Sequence, residues 1–329
     1  MSKRLLTMLV LLAAVVSGAW AQAQTYKVTL QEGTEDATNW TVPEEAAEGA
    51  TVTVTYSGEK KVKSVKAVKA APVDLKAVPL TIEAITAGNI SVSSPKEGMQ
   101  YSLNGGAKTT MTANPTTIEV AVGDKVQFYG KGTTIICYDG TVITGSGDDF
   151  TCKVYGNIMS LVDEENFATA TTLSQSFTFF ELFYENTTLT DASSLLLPAE
   201  TLANGCYRQM FWGCTALTAA PALPAETLVT SCYNQMFRGC TSLTTAPVLP
   251  APTLVTSCYY NMFYGCSKLA TVTCRATSGF NATMCTENWL KNAGTQAEGT
   301  KTFNAVSTAE WPSGNAGIPD GWTRVNVDN

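Results

Sequence analysis

The chain has 329 residues, a formal net charge of −7 and no histidine. An acidic chain lacks the basic footprint that phosphate binding needs, so nucleic acid is disfavoured as a partner. Without imidazole, every mechanism that uses histidine as a base, proton shuttle or zinc ligand is excluded.

The first 21 residues have the three-part layout of a signal peptide. Lys3 and Arg4 precede the apolar run 5–16, and small residues follow up to Ala19-Trp20-Ala21. The sequence therefore predicts export and removal of residues 1–21, which leaves a net charge of about −9 by the same counting. We find no stretch of the roughly 20 apolar residues that a transmembrane helix needs. No lipid-anchor site is seen either, because the first cysteine is Cys137.

Residues 22–71 predict a small β module, because short alternating stretches such as "YKVTL" and "TVTVTYSG" lie between Gly, Pro, Glu and Asn residues. The module ends in five lysines between Lys60 and Lys69, and the linker 72–78 follows. Two interpretations of these lysines stay open. They either guard an exposed edge strand or form a cationic patch for an anionic glycan or surface.

Residues 79–160 predict a β-sandwich-like domain, because seven strand-like runs alternate with turn signals such as Asn104-Gly105. The runs are "LTIEAI", "NISVSS", "MQYSLN", "TTIEVAV", "KVQFYG", "TTIICY" and "FTCKVYG". Cys137 and Cys152 fall in the last two runs. In an oxidising compartment they are a candidate disulfide pair, although sequence alone cannot fix the pairing.

Residues 161–293 contain a repeat. The phrase "CYRQMFWGCTAL" begins at Cys206 and recurs at intervals of 26 residues, from Cys232 and from Cys258. Divergent copies begin at Thr178 and Cys285, as expected for the end units of a stack. A period of 26 residues falls in the leucine-rich repeat range. We therefore expect a multi-domain, β-rich chain whose modules precede a short solenoid with a strand and a short helix per repeat. Residues 294–329 would cap it.

The expected helix in each repeat buries residues at i, i+1, i+4, i+5 and i+8 and ends at a glycine such as Gly213. Seven cysteines on this face form two columns. The first column is Cys206, Cys232, Cys258 and Cys285, and the second is Cys214, Cys240 and Cys266. Helical rise puts the two cysteines of one repeat about 12 Å apart, too far for a disulfide.

The cysteine columns are therefore interpreted as buried thiols that serve as small apolar side chains. Asn186 takes the place of cysteine in the second column, which fits a position where a buried side chain satisfies the backbone of a turn. A metal-binding ladder is the alternative, disfavoured because zinc needs four converging sulfurs rather than a row. We expect no metal and no cofactor.

The outward face of the same segment provides candidate binding residues. One slot holds aromatic or basic side chains in five successive copies, and Tyr260 lies one helical turn away from it. The candidates on this convex stripe are Tyr184, Trp212, Arg238, Tyr260, Tyr264 and Lys291. Tyr, Trp and Arg dominate the energetics of protein interfaces, and rows of rings also stack on sugars. The third interpretation is that the rings only pack against one another and bind nothing. The concave side of the solenoid would present small side chains to a ligand, such as Thr218, Thr244 and Thr245.

The repeat pattern "LPAETLxxxCYxxMFxGCTxLTxAPxLP" resembles the leucine-rich repeats of BspA-like surface proteins from host-associated, anaerobic Gram-negative bacteria. The segments "YGNIMSLVDEENFATATTL", "CTENWL" and "GIPDGWT" resemble the parts that precede and close the repeats in that family. The resemblance covers nearly the whole mature chain. It implies a secreted or surface-displayed protein that adheres to host proteins or other cells, and it implies no catalytic residues.

Little in the sequence points to catalysis. The stretch Ser57-Gly58-Glu59-Lys60 matches S-x-x-K without its companion motifs. Acidic pairs such as Glu44-Glu45 and Asp148-Asp149 lie in loop-like contexts. The main prediction is therefore a non-catalytic protein that binds an extracellular or host-cell protein. Glycan binding is the alternative, and a carboxylate-based glycosidase comes third.

Overall fold

A computed structural model describes residues 74–131 and 140–327, together with the backbone of five short strands before residue 57. The chain divides into two compact units, Met1–Asp74 and Leu75–Asn329. The division falls inside the predicted linker 72–78. Both units are β-rich, and the helical elements in the described residues are two 3₁₀ turns, Leu75–Ala77 and Ile158–Leu161. In the same residues, no helix is long and apolar enough to cross a membrane.

The first unit contains two small antiparallel sheets. Its strands are β1 (Leu6–Leu11), β2 (Thr25–Lys27), β3 (Trp40–Thr41), β4 (Glu45–Ala47) and β5 (Thr51–Tyr56). Strand β5 lies between β1 and β3, and β2 pairs with β4. Strand β1 lies within the predicted signal peptide, and export stays a prediction. The lysine-rich segment 60–69 lies outside the described residues.

The second unit begins with two sheets. Their strands are β6 (Thr81–Ala84), β7 (Gly88–Ser93), β8 (Gln100–Leu103), β9 (Thr109–Thr110), β10 (Thr116–Val120), β11 (Lys125–Tyr129), β12 (Val142–Ser146), β13 (Cys152–Asn157) and β14 (Leu189–Leu196). The smaller sheet has the order β10-β7-β12, and the larger has the order β14-β13-β6-β11-β8-β9. Both sheets bury alternate residues in one core, as Ile118 and Val120 do in β10 and Val126 and Phe128 do in β11.

Six of the seven predicted strand-like runs contain strands of these sheets, namely β6, β7, β8, β10, β11 and β13. The seventh, "TTIICY", lies outside the described residues. The sequence analysis did not predict β12. Strand β14, in the predicted repeat region, pairs in parallel with β13. A continuous sheet therefore crosses the position where we placed the boundary between residues 160 and 161.

The short helix predicted in each repeat is wrong. Consecutive turns take its place in what we call the turn segments, residues 177–186, 205–214, 231–240, 257–266 and 283–292. Within a segment, every second N–H bonds to the carbonyl three residues back, as Trp212 does to Gln209 at 3.1 Å. The alternate N–H groups donate to the next copy, as Phe211 does to Met236 at 2.9 Å. In an α-helix, these N–H groups would all bond to carbonyls of the same segment. A helix could therefore not form this hydrogen-bond ladder between copies.

A positive φ recurs at every fourth residue of the turn segments. In one copy it occurs at Gln209, with φ of 58°, and at Gly213, with φ of 74°. Type II turns need a positive φ at their third position, so these residues reverse the chain at regular intervals. The result is a segment with a four-residue period. Its inward residues still follow i, i+1, i+4, i+5 and i+8, the spacing expected of the helix.

Extended limbs connect the turn segments, and neighbouring limbs pair in parallel at isolated bridges such as Asp191 with Ala219 and Thr245 with Thr271. Three strands continue this arrangement, β15 (Thr271–Cys274), β16 (Lys301–Val306) and β17 (Trp322–Val327). They form a parallel sheet in the order β15-β16-β17. Strands β16 and β17 belong to the predicted cap, residues 294–329, and they extend the stack by backbone hydrogen bonds.

Candidate binding surface

Two buried columns of aromatic rings keep the turn segments in register. One column is Phe179, Tyr207, Tyr233, Tyr259 and Trp289, and the other is Phe183, Phe211, Phe237 and Phe263. In the second column, neighbouring ring centroids lie 5.3, 5.4 and 5.7 Å apart. Stacked aromatic pairs stabilise a fold by about 0.5–1.5 kcal/mol beyond their burial. The same register fixes the outward side chains in columns.

Both cysteine columns lie in the core as free thiols. In the second column, each thiol donates to a carbonyl of the preceding copy at 3.0 Å. These bonds join Cys214 to Phe183, Cys240 to Phe211 and Cys266 to Phe237. The thiols therefore have a packing role and also bond the backbone between copies.

Asn186 occupies the same column in the first copy. Its Nδ2 donates to the carbonyl of Ile143 at 3.1 Å, and its Oδ1 accepts from the N–H groups of Thr188 and Leu189. The amide thus joins the first turn segment to β12 and also closes a local turn. In the later copies, the cysteine thiol makes the corresponding hydrogen bond to the preceding copy.

Burial keeps these thiols protonated. It raises the pKa of Cys206 and of Cys258 to about 12, and it raises the pKa of Cys240 well above its ordinary value. Metal ligation and nucleophilic attack both need the thiolate, which is scarce at neutral pH under these conditions. In the part of the chain that the structure describes, no group of three Cys, Asp or Glu side chains could hold a metal ion.

The predicted pairing of Cys137 with Cys152 stays a prediction, because Cys137 lies outside the described residues. Cys152 is a buried free thiol in β13, with its Sγ 3.8 Å from the Oγ1 of Thr188. Burial raises its pKa to about 11.

Five of the six candidate binding residues lie in contact with one another. We call Tyr184, Trp212, Arg238, Tyr264 and Lys291 the outward column. The rings of Tyr184 and Trp212 lie 5.6 Å apart and are tilted by 58°. The Cζ of Arg238 lies 4.5 Å from the centroid of Trp212 and 4.7 Å from that of Tyr264. The Nζ of Lys291 lies 6.0 Å from the Tyr264 ring and ends the column.

Tyr260 does not lie one helical turn from Tyr264, because the segment is not a helix. It is half-buried in the neighbouring column, which also contains Phe180, Arg208, Asn234 and Glu287. In that column the Cζ of Arg208 lies 5.7 Å from the Phe180 ring, and the buried Nε of Arg208 has no hydrogen-bond partner. The candidate surface therefore has two parallel columns of side chains.

Arg238 is held by its neighbours on three sides. The rings of Trp212 and Tyr264 flank its guanidinium, an arrangement that cation–π attraction favours. One terminal nitrogen donates to the Oε1 of Gln235 at 3.0 Å, and Gln235 in turn donates to Asn234. Sequence reasoning missed Gln235, which is 8% exposed at a positive φ. A guanidinium has five N–H donors, so several stay available along its edge.

The outward face carries opposite charges at its two ends. Glu181 and Glu185 flank Tyr184, and burial, together with Glu185, raises the pKa of Glu181 against the opposing charge of Arg208. At the other end of the outward column, Lys268 and Lys291 are exposed, and Glu287 lies in the neighbouring column. Among the described residues, no carboxylate forms an ion pair with Arg238 or Lys291.

Glycines lie beside the basic end of the outward column. A Cβ on Gly239 would meet only the backbone of Gly213 at 3.8 Å, and one on Gly265 would meet only the Cα of Gly239 at 4.0 Å. No side chain at these positions covers the flank of Arg238 and Tyr264. A ligand could therefore approach the column from this side.

The residues predicted for the concave side lie on the extended limbs. Thr218, Thr244 and Thr245 are exposed. The Oγ1 of Thr218 donates to the carbonyl of Thr190 at 2.9 Å, so this hydroxyl bonds neighbouring limbs. The limb surface is neutral and lacks large side chains at these positions.

Comparison of the chain with protein-family models, curated proteins and solved structures finds no match. The resemblance to BspA-like proteins therefore depends on the motifs quoted above, and the family stays a prediction.

Proposed function

We propose that this chain is an exported binding protein that adheres to an extracellular or host-cell protein through the outward column. The main support for this proposal is a row of four side chains that contact one another in sequence and are half-buried or exposed at the surface. They are Trp212, Arg238, Tyr264 and Lys291. Tyr, Trp and Arg in such clusters supply most of the binding energy at protein interfaces. The protein would work in solution or at the surface of a Gram-negative bacterium.

The repeat region in this proposal is a short solenoid of the leucine-rich type. Its support is the hydrogen-bond ladder between turn segments and the parallel pairing of successive limbs. Each copy contacts mainly its neighbours in such an architecture, which makes a column of side chains the natural binding unit. The turn segments would then present the ligand-binding face.

Protein is favoured over glycan as the ligand by the orientation of the rings. Sugar binding to aromatic side chains needs an open ring face. Trp212 lies between Tyr184 and Arg238, and Tyr264 lies between Arg238 and Lys291. Each ring thus has a side chain of an adjacent copy on either side of it along the column, which leaves less open ring face for a sugar.

The proposed role is non-catalytic. The most buried reactive groups are thiols whose pKa values burial raises. The carboxylates at the outward face, Glu181 and Glu185, flank the ring of Tyr184, which lies where a sugar would have to bind between them. A glycosidase needs two carboxylates on opposite sides of a bound sugar. Binding therefore accounts for this surface better than hydrolysis does.

The test is binding of the purified chain to arrays of extracellular-matrix proteins and of glycans. We expect binding to at least one matrix protein, and we expect Trp212→Ala/Tyr264→Ala to weaken it roughly tenfold or more, since interface hot spots typically contribute that much. The matched control is Thr244→Ala/Thr245→Ala on the limb surface, which should bind as the unmodified chain does. Adhesion through the outward column is wrong if the two double variants behave the other way round or if neither array binds the chain.

A further inference from the structure

If the outward column is the binding surface, as proposed above, the geometry of Arg238 favours a partner that presents a carboxylate. Both faces of its guanidinium lie against rings, at 4.5 and 4.7 Å from their centroids. Water and ligands can therefore reach only its edge. The planar edge of a guanidinium matches a carboxylate with two parallel hydrogen bonds, a geometry that a lysine cannot reproduce.

The column also keeps this edge in place before a ligand arrives. The rings restrict the side chain, and the bond to Gln235 at 3.0 Å fixes the rotation of the guanidinium. A preorganised cation loses less conformational entropy on binding than a free one. Since no carboxylate of the described residues forms an ion pair with Arg238, its charge remains available to a partner.

Lys291 supplies a second positive charge in the same column. It lies two turn segments beyond Arg238, with Tyr264 between them. Neighbouring hydrogen-bonded backbones are about 5 Å apart, so the two positions are separated by about 10 Å along the stack. A segment in the polyproline II conformation has three residues per turn and rises about 3.1 Å per residue, so its residues i and i+3 lie on the same side and are separated by about 9 Å.

The opposite end of the face disfavours a ligand that is negative throughout. Glu181 and Glu185 lie beside Tyr184, at the far end of the column from Lys291. A long polyanion that ran along the whole column would meet these carboxylates. A short acidic stretch placed at the basic end would not.

We infer that Arg238 and Lys291 bind two carboxylates, three residues apart, in an acidic segment of the partner protein that adopts the polyproline II conformation. The segment lies along the stack over Tyr264, with the bare backbone of Gly239 and Gly265 beside it. Arg238 accepts one carboxylate on its edge, and Lys291 contacts the other as a point charge. Specificity for a protein then comes from the spacing of its acidic side chains.

The experiment uses fluorescently labelled peptides and the full chain. One peptide carries two glutamates at i and i+3 in a Gly/Ser background, the second carries them at adjacent positions, and the third has glutamines at i and i+3. We expect the first peptide to bind most tightly, and salt to weaken that binding because it screens exposed charges. Arg238→Gln should reduce the affinity roughly tenfold or more, as expected for a lost charge-assisted contact, and Arg238→Lys should restore only part of it.

Lys268→Gln is the matched control. It removes one exposed positive charge near the same end without touching the outward column, and its effect should stay within about threefold. Equal binding of the glutamate and glutamine peptides would overturn the inference, as would equal losses in Arg238→Gln and Lys268→Gln. Binding of a sulfated oligosaccharide in place of the glutamate peptide would overturn it too, because the ligand would then be a glycan polyanion.

The result is separable from the test of the proposed function. If a matrix protein binds the chain and depends on Trp212 and Tyr264, but the acidic peptide neither binds nor competes, the outward column is an adhesion surface and the inference about its partner is wrong. If no matrix protein binds while the acidic peptide does, adhesion to those proteins is wrong and carboxylate recognition stands.

Discussion

The inward and outward faces of the turn segments share one backbone and one spacing but differ in their side chains. One of the two inward columns is phenylalanine in four successive copies, with neighbouring rings within 17° of parallel. The outward column changes its residue in every copy, from tyrosine to tryptophan, arginine, tyrosine and lysine. Packing accounts for the first column, because its four rings are fully buried against one another. It does not require a guanidinium between two rings at the surface.

This difference shows which residues the fold constrains. A stacked repeat fixes where each side chain lies, and burial then selects an apolar residue on one face only. On the other face the register still aligns the side chains, while their chemistry is free to vary. The outward column is therefore where a chain of this kind can acquire a ligand without losing its fold.

The largest expected effect comes from breaking the inward column. Phe237→Ala should lower the free energy of unfolding by about 3–5 kcal/mol, because it removes a fully buried ring and leaves a cavity. Urea denaturation of the variant and of the unmodified chain measures the change.

Trp212→Ala provides the matched change on the outward face. It removes a half-buried ring whose partners are Tyr184 and Arg238, so we expect a loss of about 1 kcal/mol. If this variant lost as much stability as Phe237→Ala, the claim that the fold depends more on the inward rings than on the outward ones would be wrong.

An intermediate effect should follow from a change of backbone alone. Gly239 has φ of 75° and nothing but glycine backbone near a Cβ added there. Gly239→Ala should therefore cost about 1–2 kcal/mol through the unfavourable left-handed conformation and not through a clash. The same denaturation experiment measures it, and a variant as stable as the unmodified chain would show that the glycine is not needed for the conformation.

Most strands of the second unit could be predicted because their apolar and polar residues alternate. Strand β10 alternates buried and exposed residues and β11 alternates buried and partly buried ones, and the sequence alternates with them. Strand β12 was missed because it contains Gly145 in a run that looks like a turn. The glycine is there for packing, since a Cβ would lie 2.4 Å from the Phe150 ring and 2.3 Å from the Oγ1 of Thr188.

The turn segments were predicted as helices because the inward spacing fits both structures. A helix of 3.6 residues per turn and a segment with a four-residue period place the same five residues inward over so short a stretch. The distinguishing signal is weak, because Gln209 and Ser231 show that the positive-φ positions do not all carry glycine. The columns were predictable because they depend only on the repeat period, whereas the contact of Arg238 with Gln235 needs the turn geometry.

The smallest expected effect concerns pH at the acidic end of the outward face. Burial raises the pKa of Glu181 above its ordinary value, with a further contribution from Glu185. Between the ordinary pKa and the raised one, the folded chain binds more protons at this site than the unfolded chain does, so this site lowers stability as the pH rises through that window. Glu181→Gln removes the ionisation and should flatten that part of the profile of unfolding free energy against pH. An unchanged profile would mean that the carboxylate is no less solvated in the folded chain, and the acidic end would then be as open to ligands as the basic end.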